Sequence, residues 1–395
     1  MTMMYNPVFA PEALARKEKI QAAMRCMSAD ALLLTDNANL YYTSSRVFCG
    51  YTYIPVEGDM LYFVRRPVDL SGDNVIYIRK PEQIPDELKN HGLAMPGTLL
   101  LEGDTLSFNE YNRLAAVFSS AQILNGGNTL IRNVRAVKTP FEIALLRQSA
   151  ASHDLLYRHI PKLYTEGMTD LEFSIEIERC ARQHGSLGIF RIFGHSMEIF
   201  MGNVLSGENA DTPTPYDFAM GGAGLDDSLP IGCNGTTIHP GQTVMVDING
   251  NFTGYMTDLS RVYSLGEIPE IALHAHQVSI EIHQAVASAA RPGVAVADLY
   301  NKSLEIARAR DVEAYFMGHR QKAGFVGHGV GIEINELPVI APRSHDVLEA
   351  GMVFALEPKF VIPGVGPVGI ENTYLVTEEG VEKLTCCEEE IRPLD

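Results

Sequence analysis

The sequence predicts an α/β domain over residues 1–137, followed by a larger α+β domain over residues 138–395 made of two related halves. Three observations carry this reading. Short apolar runs alternate with helical stretches as far as Val137. Beyond it, a helix pair followed by a strand-rich segment occurs twice. A chain of 395 residues also exceeds what one ordinary core covers.

In the first domain, residues 11–28 read as an amphipathic helix leading into the apolar strand 31–34. Strand-like runs follow at 60–64, 75–78 and 98–101, with a helix near 109–118. Pro140 then opens a long helical pattern; proline suits a first turn, and Glu142 lies near the positive end of the helix dipole. The first helix pair spans 141–163 and 170–184, with Thr169 and Glu172 at capping-box spacing. The second pair spans 270–290 and 298–310. In each, a turn glycine (Gly167, Gly293) precedes an Asp-Leu pair (Asp170-Leu171, Asp298-Leu299). A strand-rich segment of roughly 80 residues follows each pair, the spacing that internal duplication produces. Such a domain places two sheet halves around a central cleft.

A formal charge of −18 argues against a nucleic-acid surface and does not favour anionic membranes. The apolar stretches are too short to span a bilayer, and the N-terminus lacks the order of a signal peptide. Six cysteines, single except for Cys386-Cys387 and without a CxxC, fit reduced thiols. A cytoplasmic protein is expected.

Four carboxylates and one imidazole stand in stretches that otherwise read as core. Asp247 closes an apolar strand and Asp258 opens another, with the turn-rich Asn249–Gly254 between them. In a hairpin, side-chain alternation puts both aspartates on one face, opposed or diagonal. Read alone, they could be two solvated hairpin carboxylates. His328 lies in Gly327-His328-Gly329-Val330-Gly331, which reads as a glycine loop allowing close approach of other groups. A phosphate loop is the weaker reading there, since the helix context and following lysine are missing. Glu357, before Pro358, and Glu371, within Val368–Val376, look like charges inside buried strands. Burying such acids is costly without positive charge among them. No run of Lys or Arg in these segments supplies it, so two divalent cations are expected.

In order, Asp-x10-Asp, GHGxG, a strand Glu before Pro and a Glu in a final strand resemble the M24 metallopeptidases of the pita-bread fold. That family includes methionine aminopeptidases, Xaa-Pro aminopeptidases and prolidases. The resemblance runs from about Val134 to the end, and the first domain resembles the smaller domain preceding it in prolidase and creatinase relatives. It implies that Asp247 holds one ion bidentately, that Asp258 and Glu371 bridge both ions, and that His328 and Glu357 complete one shell. Glu357 would be the general base toward a bridging hydroxide. Mn, Co, Fe or Zn all suit such ligands. The resemblance also implies a small peptide or amide substrate and a homodimer.

Three substrate-shell positions depart from the family pattern. Thr214 and Asn335 stand where histidines are usual, and Gly369 where arginine is usual. Asn249 takes a place normally held by glycine, a milder change because asparagine tolerates positive φ. His195, His319 and His239 are possible replacements for the lost imidazoles. An Xaa-Pro dipeptidase or aminopeptidase is therefore expected. The alternatives are a creatinase-like small-molecule enzyme of the same fold and a protein that only binds ligands in the cleft.

Overall fold

Runs of β-branched and aliphatic residues between capped helices dictate the elements of each part. The computed structural model describes residues 2–3, 10–194, 197–218 and 220–394. Its backbone divides into two units, Met1–Arg135 and Ala136–Asp395.

The first unit holds a six-stranded mixed sheet. Its order is Val75–Tyr77, Leu61–Arg66, Cys49–Pro55, Ala31–Leu34, Thr98–Leu101 and Gln122–Asn125. The strand Ala31–Leu34 is buried throughout, which explains its unbroken apolar run. The helix Asn37–Ser44 follows it, capped by Asp36, whose side chain accepts from Ala38 N–H. Glu102 is wholly buried where Thr98–Leu101 ends. Its carboxylate accepts from the backbone of Thr35 and Asp36 and from Asn39, tying the two strand ends together.

In the second unit, helix Pro140–His159 starts at a capping box between Thr139 and Glu142, and helix Asp170–Gln183 at one between Thr169 and Glu172. A four-stranded sheet follows, ordered Arg392–Pro393, Asp258–Leu265, Gln242–Asn249 and Gly202–Ser206. The second helix pair is Glu270–Ala289 and Val296–Ala309. It precedes a five-stranded sheet ordered Glu336–Ile340, Gly327–Gly329, Val353–Leu356, Asn372–Val376 and Val381–Lys383. Two helix pairs, each followed by a sheet, make the expected halves. Their Asp-Leu pairs sit in different registers: Asp170 is the first residue of its helix, whereas Asp298 is the third of the other. A bridge between Ser260 and Glu371 joins the two sheets, and the hairpin Lys359–Ile362/Gly366–Gly369 lies beside that seam in sequence.

The helix Glu270–Ala289 holds this seam through polar groups. His276 Nε2 donates to the Glu389 carbonyl while its Nδ1 accepts from Gly369 N–H. Ser279 Oγ accepts from Ile370 N–H, and His283 Nε2 donates to the Ile370 carbonyl. His276 Nδ1 can accept from Gly369 only while its ring is neutral. Burial lowers His283 to about 3 and His276 to about 4, and burial also lowers His153, on helix Pro140–His159, to about 3. Since an unfolded histidine titrates near 6.5, the unfolded chain takes up more protons between that value and the folded one. Stability is therefore present above about pH 6.5 and is lost as pH falls toward 3, by up to about 1.4 kcal/mol per pH unit per histidine. We expect Tm to drop steeply between about pH 6.5 and 4, and a His153→Asn variant to show a shallower fall. Parallel Tm curves for the two proteins would show that this histidine stays out of the acid transition.

Candidate metal centre

Strands Gln242–Asn249 and Asp258–Leu265 pair antiparallel, with Asp247 opposite Ser260 and Asn249 opposite Asp258. The two aspartates are therefore diagonal neighbours on one face of the hairpin. Asp258 is fixed further by a reciprocal pair: its N–H donates to Thr373 Oγ1, which donates back to its carbonyl. His328 is the middle residue of the short strand Gly327–Gly329, so its glycine setting is a strand and not the expected loop. The glycines permit close packing there. A Cβ on Gly327 would lie 2.3 Å from the Ala355 carbonyl, and one on Gly329 2.1 Å from that of Leu337. Glu357 follows strand Val353–Leu356, and Glu371 lies between Gly366–Gly369 and Asn372–Val376; both sit at strand junctions.

The side chains meet. His328 Nε2 is 3.3 Å from Glu357 Oε1 and 3.7 Å from Asp258 Oδ2. His328 Nδ1 contacts the Gly329 carbonyl at 3.2 Å, which places its proton on Nδ1 and turns Nε2 toward the acids. Ser260 Oγ donates to Glu371 Oε2 at 2.7 Å. A sixth participant was not foreseen. Lys359 Nζ, on a side chain 1 % exposed, donates to Asp247 Oδ2 at 2.7 Å, Glu357 Oε2 at 2.8 Å and Glu371 Oε2 at 3.0 Å. The expectation that only ions supply positive charge is thus corrected: one lysine, not a run of them, reaches the middle of the acids. Alternation was the missed signal. Lys359 is two residues beyond Glu357 in an apolar run, the spacing that returns a side chain to the same side of an extended chain.

Electrostatics follow from this crowding. Burial opposes ionisation of Glu357, but the Lys359 charge and the His328 hydrogen bond overcome it and hold the carboxyl at about 2. Burial, then the Asp247 charge, lifts Asp258 to about 7. Burial, then the Asp258 charge, raises Glu371 well above the usual carboxylate range. Burial disfavours charge on His328, yet the Glu357 hydrogen bond and the Glu357 and Asp258 charges raise it to about 9.

Asp258, His328 and Glu371 each offer one ligand atom, all within 4.8 Å of one another, and form the one such group of three among the described residues. Glu371 Oε1 is buried without a hydrogen-bond partner. An orphaned carboxylate oxygen beside an imidazole nitrogen and a second carboxylate is a donor set that fits a divalent ion, which would displace the proton from His328 Nε2 on binding. Oxygens of Asp247, Glu357 and Glu371 are instead bonded to Lys359. A divalent ion about 4 Å from that ammonium would be repelled by about 8 kcal/mol at an effective dielectric of about 20.

The expected substrate residues do not join this group. Thr214 Oγ1 donates to the Pro230 carbonyl, and its backbone pairs with Gln321. Asn335 forms a two-way pair with the Phe193 backbone, with both bonds 2.8 Å. His319 pairs with Asp211 at 2.8 Å. His239 lies in the turn before Gln242, where its N–H donates to the Gln242 side chain. His195 lies outside the described residues. Gly369, opposite Lys359 in the hairpin, has φ +115°, and a Cβ there would lie 2.6 Å from the Pro358 carbonyl. A side chain at that position would be strained as well as crowded.

Carboxylates and one imidazole thus gather where the two sheets join, in the fold of a metallopeptidase. The chain belongs to metallopeptidase family M24, whose model matches residues 144–378, more than half its length. Residues 16–137 match the Creatinase/Prolidase N-terminal domain. The chain is 27% identical over 383 residues to a Pyrococcus furiosus Xaa-Pro dipeptidase, covering 95% of this chain and 99% of that one. It is 28% identical over 295 residues to a Lactobacillus helveticus Xaa-Pro dipeptidase, covering 75% of this chain and 72% of that one. Its fold is similar to that of a Bacillus anthracis Xaa-Pro dipeptidase, with a TM-score of 0.79, 23% identity and coverage of 97% and 100%. It is also similar to that of a Thermotoga maritima X-Pro aminopeptidase, with a TM-score of 0.77, 20% identity and coverage of 95% and 99%. Among the described residues, no helix is long and apolar enough to cross a membrane.

Proposed function

We propose that the protein hydrolyses an amide C–N bond in a small peptide, with Xaa-Pro dipeptides as the first substrates, and that residues 138–395 carry the chemistry. The observation that supports this most is the convergence of Asp258, His328 and Glu371 in a chain of this family. A divalent ion held by those three would polarise the scissile carbonyl and acidify water, so that even a weak base could deprotonate it. Glu357 is the proposed acceptor of that proton, through Oε1. Its other oxygen is fixed by Lys359, which leaves Oε1 directed toward His328. Ser260 orients Glu371, and Thr373 orients Asp258.

The test is a turnover screen with Gly-Pro, Ala-Pro and a longer Xaa-Pro peptide, on protein purified without chelator and supplied in turn with Mn²⁺, Co²⁺, Fe²⁺ and Zn²⁺. Cleavage is expected, falling about 10²–10⁴-fold in Glu357→Gln. Equal product from wild type and variant would exclude the centre as its source.

A second reading, a small-molecule amidohydrolase of the same fold, draws on two observations. Asn335 and Thr214 are committed to the backbone of neighbouring segments, and position 369 has no side chain with which to bind a peptide carboxylate. Turnover of small amides without turnover of Xaa-Pro peptides selects this reading.

A further inference from the structure

We infer that the Lys359 ammonium is a built-in stand-in for a second cation, so that the centre takes one divalent ion per chain and not two. The inference deepens the metal part of the function proposed above and does not depend on which amide is the substrate.

An ammonium has three protons, and Lys359 gives one each to Asp247, Glu357 and Glu371 at 2.7, 2.8 and 3.0 Å. No donor is left over, and every acceptor is a carboxylate; this is a complete site for a cation. The oxygens an ion would need at about 2.0–2.2 Å are spread around Nζ. The side chain has little freedom to leave. It is 1 % exposed, and its backbone is held in a hairpin opposite Gly369, with its carbonyl accepting from Met317 N–H. Next to it in sequence, Phe360 pairs with Phe316 in a β-bridge. Glu371 divides its duties between the two cation positions. Oε2 serves Lys359 and Ser260, while Oε1 is buried with no protein partner, and Glu371 belongs to the group with Asp258 and His328. One carboxylate thus separates a position filled by protein from a position suited to an ion.

The experiment counts ions. Full-length wild type and Lys359→Met, an uncharged side chain of similar length, are stripped, reloaded with Mn²⁺ and measured by native mass spectrometry and elemental analysis. One ion in the wild type and two in the variant support the inference, as does a Tm for stripped Lys359→Met that Mn²⁺ restores. No ion in the wild type overturns the inference together with the metal-dependent function, whereas two ions in the wild type overturn the inference alone. The same number in both proteins also overturns it. If Lys359→Met does not fold, Mn²⁺ anomalous scattering from wild-type crystals decides. One peak beside Asp258, His328 and Glu371 supports the inference; no peak, or a peak among the oxygens of Asp247, Glu357 and Glu371, overturns it.

Discussion

Arg261→Ala is expected to destabilise the second unit by about 3–5 kcal/mol, the largest stability loss we foresee for a single substitution. The guanidinium is 2 % exposed and makes five hydrogen bonds. Nε donates to the Glu388 carbonyl, Nη1 to those of Ser260 and Glu371, and Nη2 to Asn372 Oδ1 and the Cys387 carbonyl. Four backbone carbonyls and one amide would lose their donors together, in a place where water does not readily replace them. Lysine keeps the charge but not the planar fork, so Arg261→Lys should recover only part of the loss. Ser260 and Glu371 form the bridge that joins the two sheets, so the variant should also weaken ion binding. Urea unfolding of both variants checks this, and an Arg261→Ala midpoint within error of the wild type would remove Arg261 from the seam.

The second large effect is on the ion. Glu371→Gln should reduce divalent-ion affinity and amide turnover by well over about 100-fold, since even the outer partners of metal ligands are worth about 10–100-fold. Glutamine can still accept from Lys359 and Ser260 through its carbonyl oxygen, so the fold should survive and the loss should reflect the centre itself. Calorimetric titration with Mn²⁺, alongside turnover, measures both. Unchanged Mn²⁺ affinity in Glu371→Gln would exclude this carboxylate from the ion's shell.

Much of this arrangement was legible in the chain because it depends on local rules. Alternation and a turn-rich centre place Asp247 and Asp258 on one face, opposed or diagonal, and the observed register makes them diagonal. Pro140 and the capping box at Thr169 mark two helix starts within a residue. Local rules misled at His328, where glycines that looked like a bending loop instead let three strands pack closely. They also leave the roles of Thr214 and Asn335 open. Whether a polar side chain faces a substrate or a neighbouring carbonyl depends on segments remote in sequence, here Pro230 and Phe193.

Strand–helix alternation and the repeated helix pairs pointed to the fold class, and the order of five acidic and imidazole residues carried the resemblance that implied the family and the kind of chemistry. They could not show what neutralises those acids. That depends on a hairpin folding back so that Lys359 meets Asp247, more than a hundred residues earlier in the chain. Charge compensation acts through distance in space, and only the tertiary structure sets that distance.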